Sequence, residues 1–170
     1  NVIAYDSAAA NLVPGDTNDY PDCFVHDRVA GTLTRISVAE DGTEGTSYSR
    51  SPFISADGSV VCFESLASEL ADDPFGSALN VLDTFHYVVA NGALTRGSEG
   101  TNGAGNDGSF MARPTANGAL VAMASNATNF DPVDTNSSTD IFLVIPGAGG
   151  GVGLSYCDSA SSVGCPCGNN

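Results

Sequence analysis

The sequence predicts an all-β fold built from three imperfect copies of one four-stranded antiparallel unit. Three observations support this: short motifs that recur about 60 residues apart, apolar residues that alternate with polar ones, and frequent Gly and Pro between short apolar segments. Alternation with a period of two is typical of strands that bury one face. The 170 residues, 42% of them hydrophobic, are enough for one domain with a core.

Four short motifs recur along the chain in the same order. The first stands at 7–12 (SAAANL), 65–70 (SLASEL) and 125–130 (SNATNF). The second is an Asp two residues before a Phe, at Asp22, Asp83 and Asp140. The third is a Gly-x-Leu-Thr-Arg segment at 31–35 and 92–96, and the fourth is an Asp-Gly or Asn-Gly pair at 57–58 and 117–118. A fixed order at a constant spacing indicates a repeated supersecondary unit.

Each unit is predicted to contain an innermost strand, an apolar second strand, an aromatic third strand and a short last strand. The pairs Asp57-Gly58 and Asn117-Gly118 predict hairpin turns between the first two strands, because these residues accept left-handed backbone. The predicted strands are, in chain order, 2–6, 23–27, 32–38, 51–56, 59–64, 84–89, 93–97, 113–116, 119–124, 141–145 and 152–156. The units span approximately 1–50, 51–112 and 113–156, and the first, which begins at a second strand, is incomplete.

Four-stranded antiparallel units of this period are typical of propeller blades. We therefore expect three propeller-type blades over 1–156, either open or completed by another chain, because closed propellers typically have four or more. The aligned residues Phe24, Phe85 and Phe142 are expected to be buried. The other predicted core residues are Val2, Ala4, Ile36, Phe53, Val61, Phe63, Leu94, Leu120, Ala122 and Leu154.

Three segments resemble the TolB-like propeller repeats of secreted and periplasmic bacterial proteins. They are 11–18 (NLVPGDTN), 22–28 (DCFVHDR) and 54–58 (ISADG). The similarity extends roughly over residues 2–156 and is strongest in the first unit. The second unit has a longer loop at 71–82, and the third has a Gly-rich segment at 146–151 where the Asp-Arg ending would stand. The resemblance implies a propeller fold.

Three of the five cysteines lie in a tail at 157–170: Cys157, Cys165 and Cys167. The tail resembles a Cys-rich segment of exported proteins of planctomycetes. Many cysteines in a small chain indicate an oxidising compartment, so an extracellular or cell-surface location is expected. A disulfide between Cys157 and either Cys165 or Cys167 is expected, because bridging the last two would be strained. Cys23 and Cys62, on apolar strands, could be buried free thiols.

The chain is strongly acidic, with 20 Asp and Glu against 5 Arg and no Lys, and a net charge of -15. Such a surface repels phosphate backbones and anionic lipids. No apolar run approaches the length of about 18 residues that spans a bilayer. Nucleic acid and membrane insertion are therefore not expected.

Two loops offer oxygen ligands at the same spacing. They contain Asp16, Asn18 and Asp22 in the first unit, and Asp134, Asn136 and Asp140 in the third. Ca²⁺ takes six to eight oxygen ligands, so both sets are candidate calcium sites. The alternative is that these side chains accept hydrogen bonds from their own loop as Asx-turns.

No catalytic constellation stands out, and the chain is not expected to be an enzyme. His26 and His86 fall in predicted strands and do not align with each other. The sequence has no Gly-x-Ser-x-Gly nucleophile motif, and the pair Cys165 and Cys167 is too closely spaced for a typical zinc site.

Two functions remain open. The first is a non-catalytic structural or adhesive repeat module that self-associates, as a ring or filament, in an extracellular assembly, because incomplete blades would leave sheet edges for a neighbour to cover. The second is a ligand-binding propeller fragment of a larger secreted protein, with a sugar or a peptide as ligand. The mass of the purified chain in solution would distinguish them.

Overall fold

Antiparallel strands make up the regular structure of this chain. The computed structural model describes residues 1–71, 80–100, 103–131 and 138–147, and the backbone of 152–155. Within these ranges the helical structure is limited to a 3-10 turn, Ser68–Leu70, so the predicted all-β fold is confirmed. None of the described helical structure is long or apolar enough to cross a bilayer.

Three antiparallel sheets follow one another along the chain. Blade 1 has the strand order β1-β2-β3, with β1 (Val2–Ser7), β2 (Asp22–Asp27) and β3 (Thr32–Arg35). Blade 2 has the order β4-β5-β6-β7, with β4 (Ser49–Ile54), β5 (Val60–Ser65), β6 (Asp83–Val88) and β7 (Ala93–Arg96). After the short ladder of β8 (Glu99–Gly100) and β9 (Gly103–Ala104), blade 3 has the order β10-β11-β12-β13, with β10 (Ser109–Pro114), β11 (Val121–Ser125), β12 (Asp140–Val144) and β13 (Val152–Ser155).

The three blades are equivalent in register. Tyr5 pairs with Phe24 in blade 1, Phe63 with Phe85 in blade 2, and Met123 with Phe142 in blade 3. The described strands of different blades form no hydrogen-bonded pairs, so the arrangement is a set of separate sheets and is open. The repeat seen in the sequence is therefore a repeat of structure.

The core lies between the blades, because the sheets pack face to face. Strand β4 packs against β1 and β2, and β10 packs against β5 and β6. Strand β5 divides its residues by period two: Val61 and Phe63 join the cluster between blades 1 and 2, whereas Val60 and Cys62 join the cluster between blades 2 and 3. We call the face of a blade toward the earlier blade its preceding face, and the opposite one its following face.

The aligned Phe24, Phe85 and Phe142 are all fully buried, as predicted. Three other core predictions were wrong. Phe53 is 38% exposed, with the Arg113 guanidinium 3.3 Å above its ring. Leu120 is 37% exposed and Ala122 is half-buried outside both core clusters, because both lie on the following face of blade 3.

The innermost strands begin earlier than predicted. They span Ser49–Ile54 and Ser109–Pro114, instead of 51–56 and 113–116. Both contain a bulge whose central residue has left-handed backbone, Ser51 (φ 56) and Met111 (φ 57). Left-handed backbone at a non-Gly residue is uncommon, so local sequence pattern did not predict it. The predicted core residue Leu154 lies where only the backbone is described.

Candidate functional site

The loop of blade 1 that carries the predicted calcium ligands surrounds an arginine. The guanidinium of Arg35, from β3, lies 3.2 Å from Oδ2 of Asp22, 3.4 Å from Oδ1 of Asp16 and 3.6 Å from Oε1 of Glu44. It also donates to the carbonyl oxygen of Gly15 at 2.9 Å. The Arg35 side chain is only 8% exposed, so its charge is largely removed from solvent. The cation of this loop is therefore supplied by the chain itself.

Asp22 is the buried centre of this cluster. Its Oδ1 accepts a 2.6 Å hydrogen bond from the Ser37 hydroxyl, which in turn accepts from the amide of Cys23. Asp16 differs from Asp22, because burial, followed by the charge of Asp22, raises its pKa above the usual value despite the opposing effect of Arg35. The two carboxylates thus repel each other across the arginine that holds them.

Blade 2 repeats the arrangement. Oδ2 of Asp83 lies 3.5 Å from Nε of Arg96, and its Oδ1 accepts a 2.6 Å hydrogen bond from the Ser98 hydroxyl. Arg96 also donates to the carbonyl oxygen of Ser68 at 2.6 Å, and its side chain is fully buried. In both blades an Asp-Arg-Ser cluster thus joins the start of one strand (β2 or β6) to the end of the next strand (β3 or β7).

The other predicted ligands fall in three places. Asn18 forms an Asx-turn, since its Oδ1 accepts from the amide of Tyr20 while its Nδ2 donates to the carbonyl of Gly45. Asp134 and Asn136 lie outside the described residues. Asp140 is buried at the start of β12, and Ser155 occupies the register position of Arg35 and Arg96. Among the described residues, no group of three or more His, Cys, Asp and Glu could hold a metal ion.

Calcium binding by Asp16, Asn18 and Asp22 stays a prediction, and a melting experiment tests it. If Ca²⁺ binds the folded chain, millimolar CaCl₂ raises the melting temperature relative to a chelator, because a ligand of the native state stabilises that state. The variant Asp16→Ala, which retains Asp22 and Arg35, should lose the shift. Equal melting temperatures in calcium and chelator would contradict the prediction and leave Arg35 as the loop's cation.

A second repeated contact joins neighbouring blades. Oδ1 of Asp6, on β1, accepts a 3.3 Å hydrogen bond from the amide of the bulge residue Ser51. Oε1 of Glu64, on β5, accepts a 2.9 Å hydrogen bond from the amide of the next bulge residue, Met111. The equivalent position in blade 3 is Ala124. Sequence reasoning missed this contact, although an acid stands directly before the repeated Ser7 and Ser65.

Glu64→Ala is expected to lower the free energy of unfolding by about 1–2 kcal/mol, because the Met111 amide loses a charged acceptor. Urea unfolding followed by circular dichroism measures the change. Glu40→Ala, at an exposed loop position, is the matched control and should change stability by less than about 0.5 kcal/mol. If both substitutions change the free energy of unfolding equally, the contact between Glu64 and the Met111 amide does not stabilise the fold.

One histidine and two cysteines are buried within the described blades. Burial lowers the pKa of His86 to about 4, and its Nε2 has no hydrogen-bond partner. Cys23 and Cys62 are free and buried, as suggested by the sequence; burial raises the pKa of Cys62 to about 12 and that of Cys23 well above its usual range. Thiols of this kind remain protonated and are poor nucleophiles. The tail cysteines Cys157, Cys165 and Cys167 lie outside the described residues.

A cleft of about 650 Å³ lies between the loop after β3 and blade 2. Its apolar lining includes Leu70 and Leu94. Its acidic lining comprises Glu40, Asp41, Glu69 and Glu99. Like charges on both walls disfavour anionic ligands.

The sheet faces at the two ends of the described blades carry exposed apolar side chains. On the following face of blade 3, Ile141 is 41%, Ile145 53% and Leu120 37% exposed. On the preceding face of blade 1, Ile3 is 43% exposed. The equivalents of Ile3 and Leu120 in blade 2, Val61 and Val60, are buried between blades. These end faces form the candidate functional site.

Comparison with known proteins finds similar solved structures but no matching family. A crystal structure of TolB from Acinetobacter baumannii is similar to this chain at 16% sequence identity and a TM-score of 0.40. The match covers 78% of this chain, and the chain spans only 26% of the TolB chain. No family model and no curated protein matches.

Proposed function

We propose that this chain is a non-catalytic structural or adhesive module of the cell exterior, and that it acts as a subunit of a surface or filamentous assembly. The observation that carries the proposal is the pair of apolar end faces. They repeat, at the surface, the positions that are buried wherever two blades meet. An exposed apolar patch such as Leu120, Ile141 and Ile145 on blade 3 marks protein interaction sites, and Ile3 is exposed on the preceding face of blade 1.

The composition supports an exterior location. The net charge of -15 and the absence of Lys give a surface that stays soluble and resists non-specific association. The cysteines of the tail are suited to an oxidising compartment, where they could link subunits covalently. The resemblance to TolB-like repeats fits this setting, because those repeats occur in secreted and periplasmic proteins.

Self-association is tested by sedimentation velocity of the purified chain over a hundredfold range of concentration, in reductant and at two ionic strengths. We expect species larger than a monomer that grow with concentration. We also expect more association at higher ionic strength, because salt screens the repulsion between chains of charge -15. A single monomeric species under every condition would refute the proposal and favour the alternative, a binding module that takes a sugar or peptide ligand.

A further inference from the structure

The two faces of a blade differ in the kind of side chain they present. Preceding faces carry aromatic rings. In blade 2 these are Phe63 and Phe85, whose ring centroids lie 5.5 Å apart, and in blade 3 it is Phe142, packed edge-on against Phe130. The following faces carry no buried Phe ring among their described strand residues; they include Cys23 and Val25 in blade 1 and Val60 and Cys62 in blade 2. Each internal interface thus joins a face with buried Phe rings to a face without them.

The end faces keep this difference. The preceding face of blade 1 presents the exposed Ile3 and the half-buried Tyr5. The Tyr5 ring stacks on the fully buried Phe24 with centroids 5.7 Å apart, at the register positions of Phe63 and Phe85. The following face of blade 3 is aliphatic and consists of Leu120, Ala122, Ala124, Ile141, Leu143 and Ile145. One end face thus carries an aromatic ring and the other carries aliphatic side chains, which are the two kinds of face that meet between blades inside the chain.

The following face of blade 3 has also lost the polar groups of its counterpart. Blade 2 carries Glu64, Thr84 and His86 at the positions of Ala124, Ile141 and Leu143. Two of these polar groups bind the next blade: Glu64 accepts from the Met111 amide, and the Thr84 hydroxyl lies 3.2 Å from the sulfur of Met123. The apolar replacements leave the following face of blade 3 without the polar groups that bind the next blade inside the chain.

We propose that the following face of blade 3 packs against the preceding face of blade 1 in a second copy of this chain. The inference rests on the proposed self-association and specifies its geometry. The contact is heterologous, because two different surfaces meet. Such contacts propagate into a filament, or into a ring where the rotation closes. Ile141 and Leu143 of one copy then lie over Ile3 and Tyr5 of the other.

Two single substitutions test the pairing, since each spoils one face and leaves the other intact. Ile141→Arg spoils the following face of blade 3, and Ile3→Arg spoils the preceding face of blade 1. Each variant alone should have a Kd for self-association raised on the order of 100-fold, because a charge would be buried in the contact. An equimolar mixture should form a one-to-one dimer and nothing larger, because one intact face of each kind remains.

The control is Val29→Arg, at a position 79% exposed in the turn between β2 and β3, which should associate like the unchanged chain. Melting curves verify that each variant is folded. Should Ile141→Arg unfold, Ile141→Thr copies the Thr84 of blade 2 and should raise Kd about tenfold.

The outcomes separate the two proposals. A wild-type chain that is monomeric throughout refutes self-association itself. A wild-type chain that associates, together with an Ile141→Arg or Ile3→Arg variant that associates equally well, refutes only this pairing. A variant that still forms homodimers, with no new species on mixing, indicates contact between two like faces and also overturns the pairing.

Discussion

Replacing Asp83 with Ala should lower the free energy of unfolding by about 3–5 kcal/mol, because it removes the carboxylate that lies 3.5 Å from Nε of the fully buried Arg96 side chain. The Ser98 hydroxyl loses its acceptor in the same variant. A loss of this size is a large part of the 5–15 kcal/mol that stabilises a typical domain. Urea unfolding of the monomeric chain measures it. The exposed Asp41→Ala is the matched control and should change stability by no more than about 1 kcal/mol.

A double variant separates the ion pair from general damage. Asp83→Leu with Arg96→Met removes both charges together, and replacing a buried pair by apolar groups is often close to neutral. The double variant should therefore be more stable than Asp83→Ala. If the effects of the two single substitutions simply add, Asp83 and Arg96 do not interact, and their ion pair does not contribute to stability.

Acidification from pH 6.5 to about 4 should cost the chain roughly 3 kcal/mol through His86 alone. The folded-state pKa of His86 is lowered from 6.5 to about 4 by burial, so in this window the unfolded chain takes up a proton that the folded chain refuses. Stability is full above pH 6.5, falls as the pH drops, and stops changing through this group below about pH 4. The His86 ring is tightly packed, because a methyl group at Gly97 would overlap it, so the ring has no space in which to move toward solvent.

The measurement is the difference in unfolding free energy between the wild type and His86→Leu at several pH values. Leu is the residue of blade 3 at this register position, Leu143, so the substitution has a precedent in the fold. Carboxylates titrate in both proteins, and their contribution cancels in the difference. His26→Gln, half-buried on β2, serves as the control and should retain the loss. A wild type and a His86→Leu variant with parallel pH profiles would contradict the burial argument.

The sequence was sufficient for the fold and the strand order, because period-two alternation and a constant repeat are local signals. The burial of Phe24, Phe85 and Phe142 followed from their shared position. The bulges at Ser51 and Met111 could not be predicted, because their left-handed backbone is held by Asp6 and Glu64 from another sheet. A hydrogen bond to a side chain across a blade interface leaves no trace at short sequence range.

The candidate site was only partly predictable. The acidic loop was singled out as a calcium site, which stays a prediction, and its arginine was taken only as part of a repeat motif. A signal did exist, since Asp22 and Arg35 stand 13 residues apart, as do Asp83 and Arg96. The apolar end face of blade 3 escaped notice because Leu120 and Ile141 look like ordinary members of core strands. Only the packing of the sheets shows which face each occupies.

Cryo-electron microscopy of the associated chain tests the central claim most directly, because it shows which faces meet. The account predicts a continuous stack of blades in which every junction between copies places β11 and β12 of one chain against β1 and β2 of the next. Ile141 and Leu143 should then be buried beside Ile3 and Tyr5. Particles in which the following face of blade 3 remains open to solvent, or in which two copies meet through the same face, would contradict it.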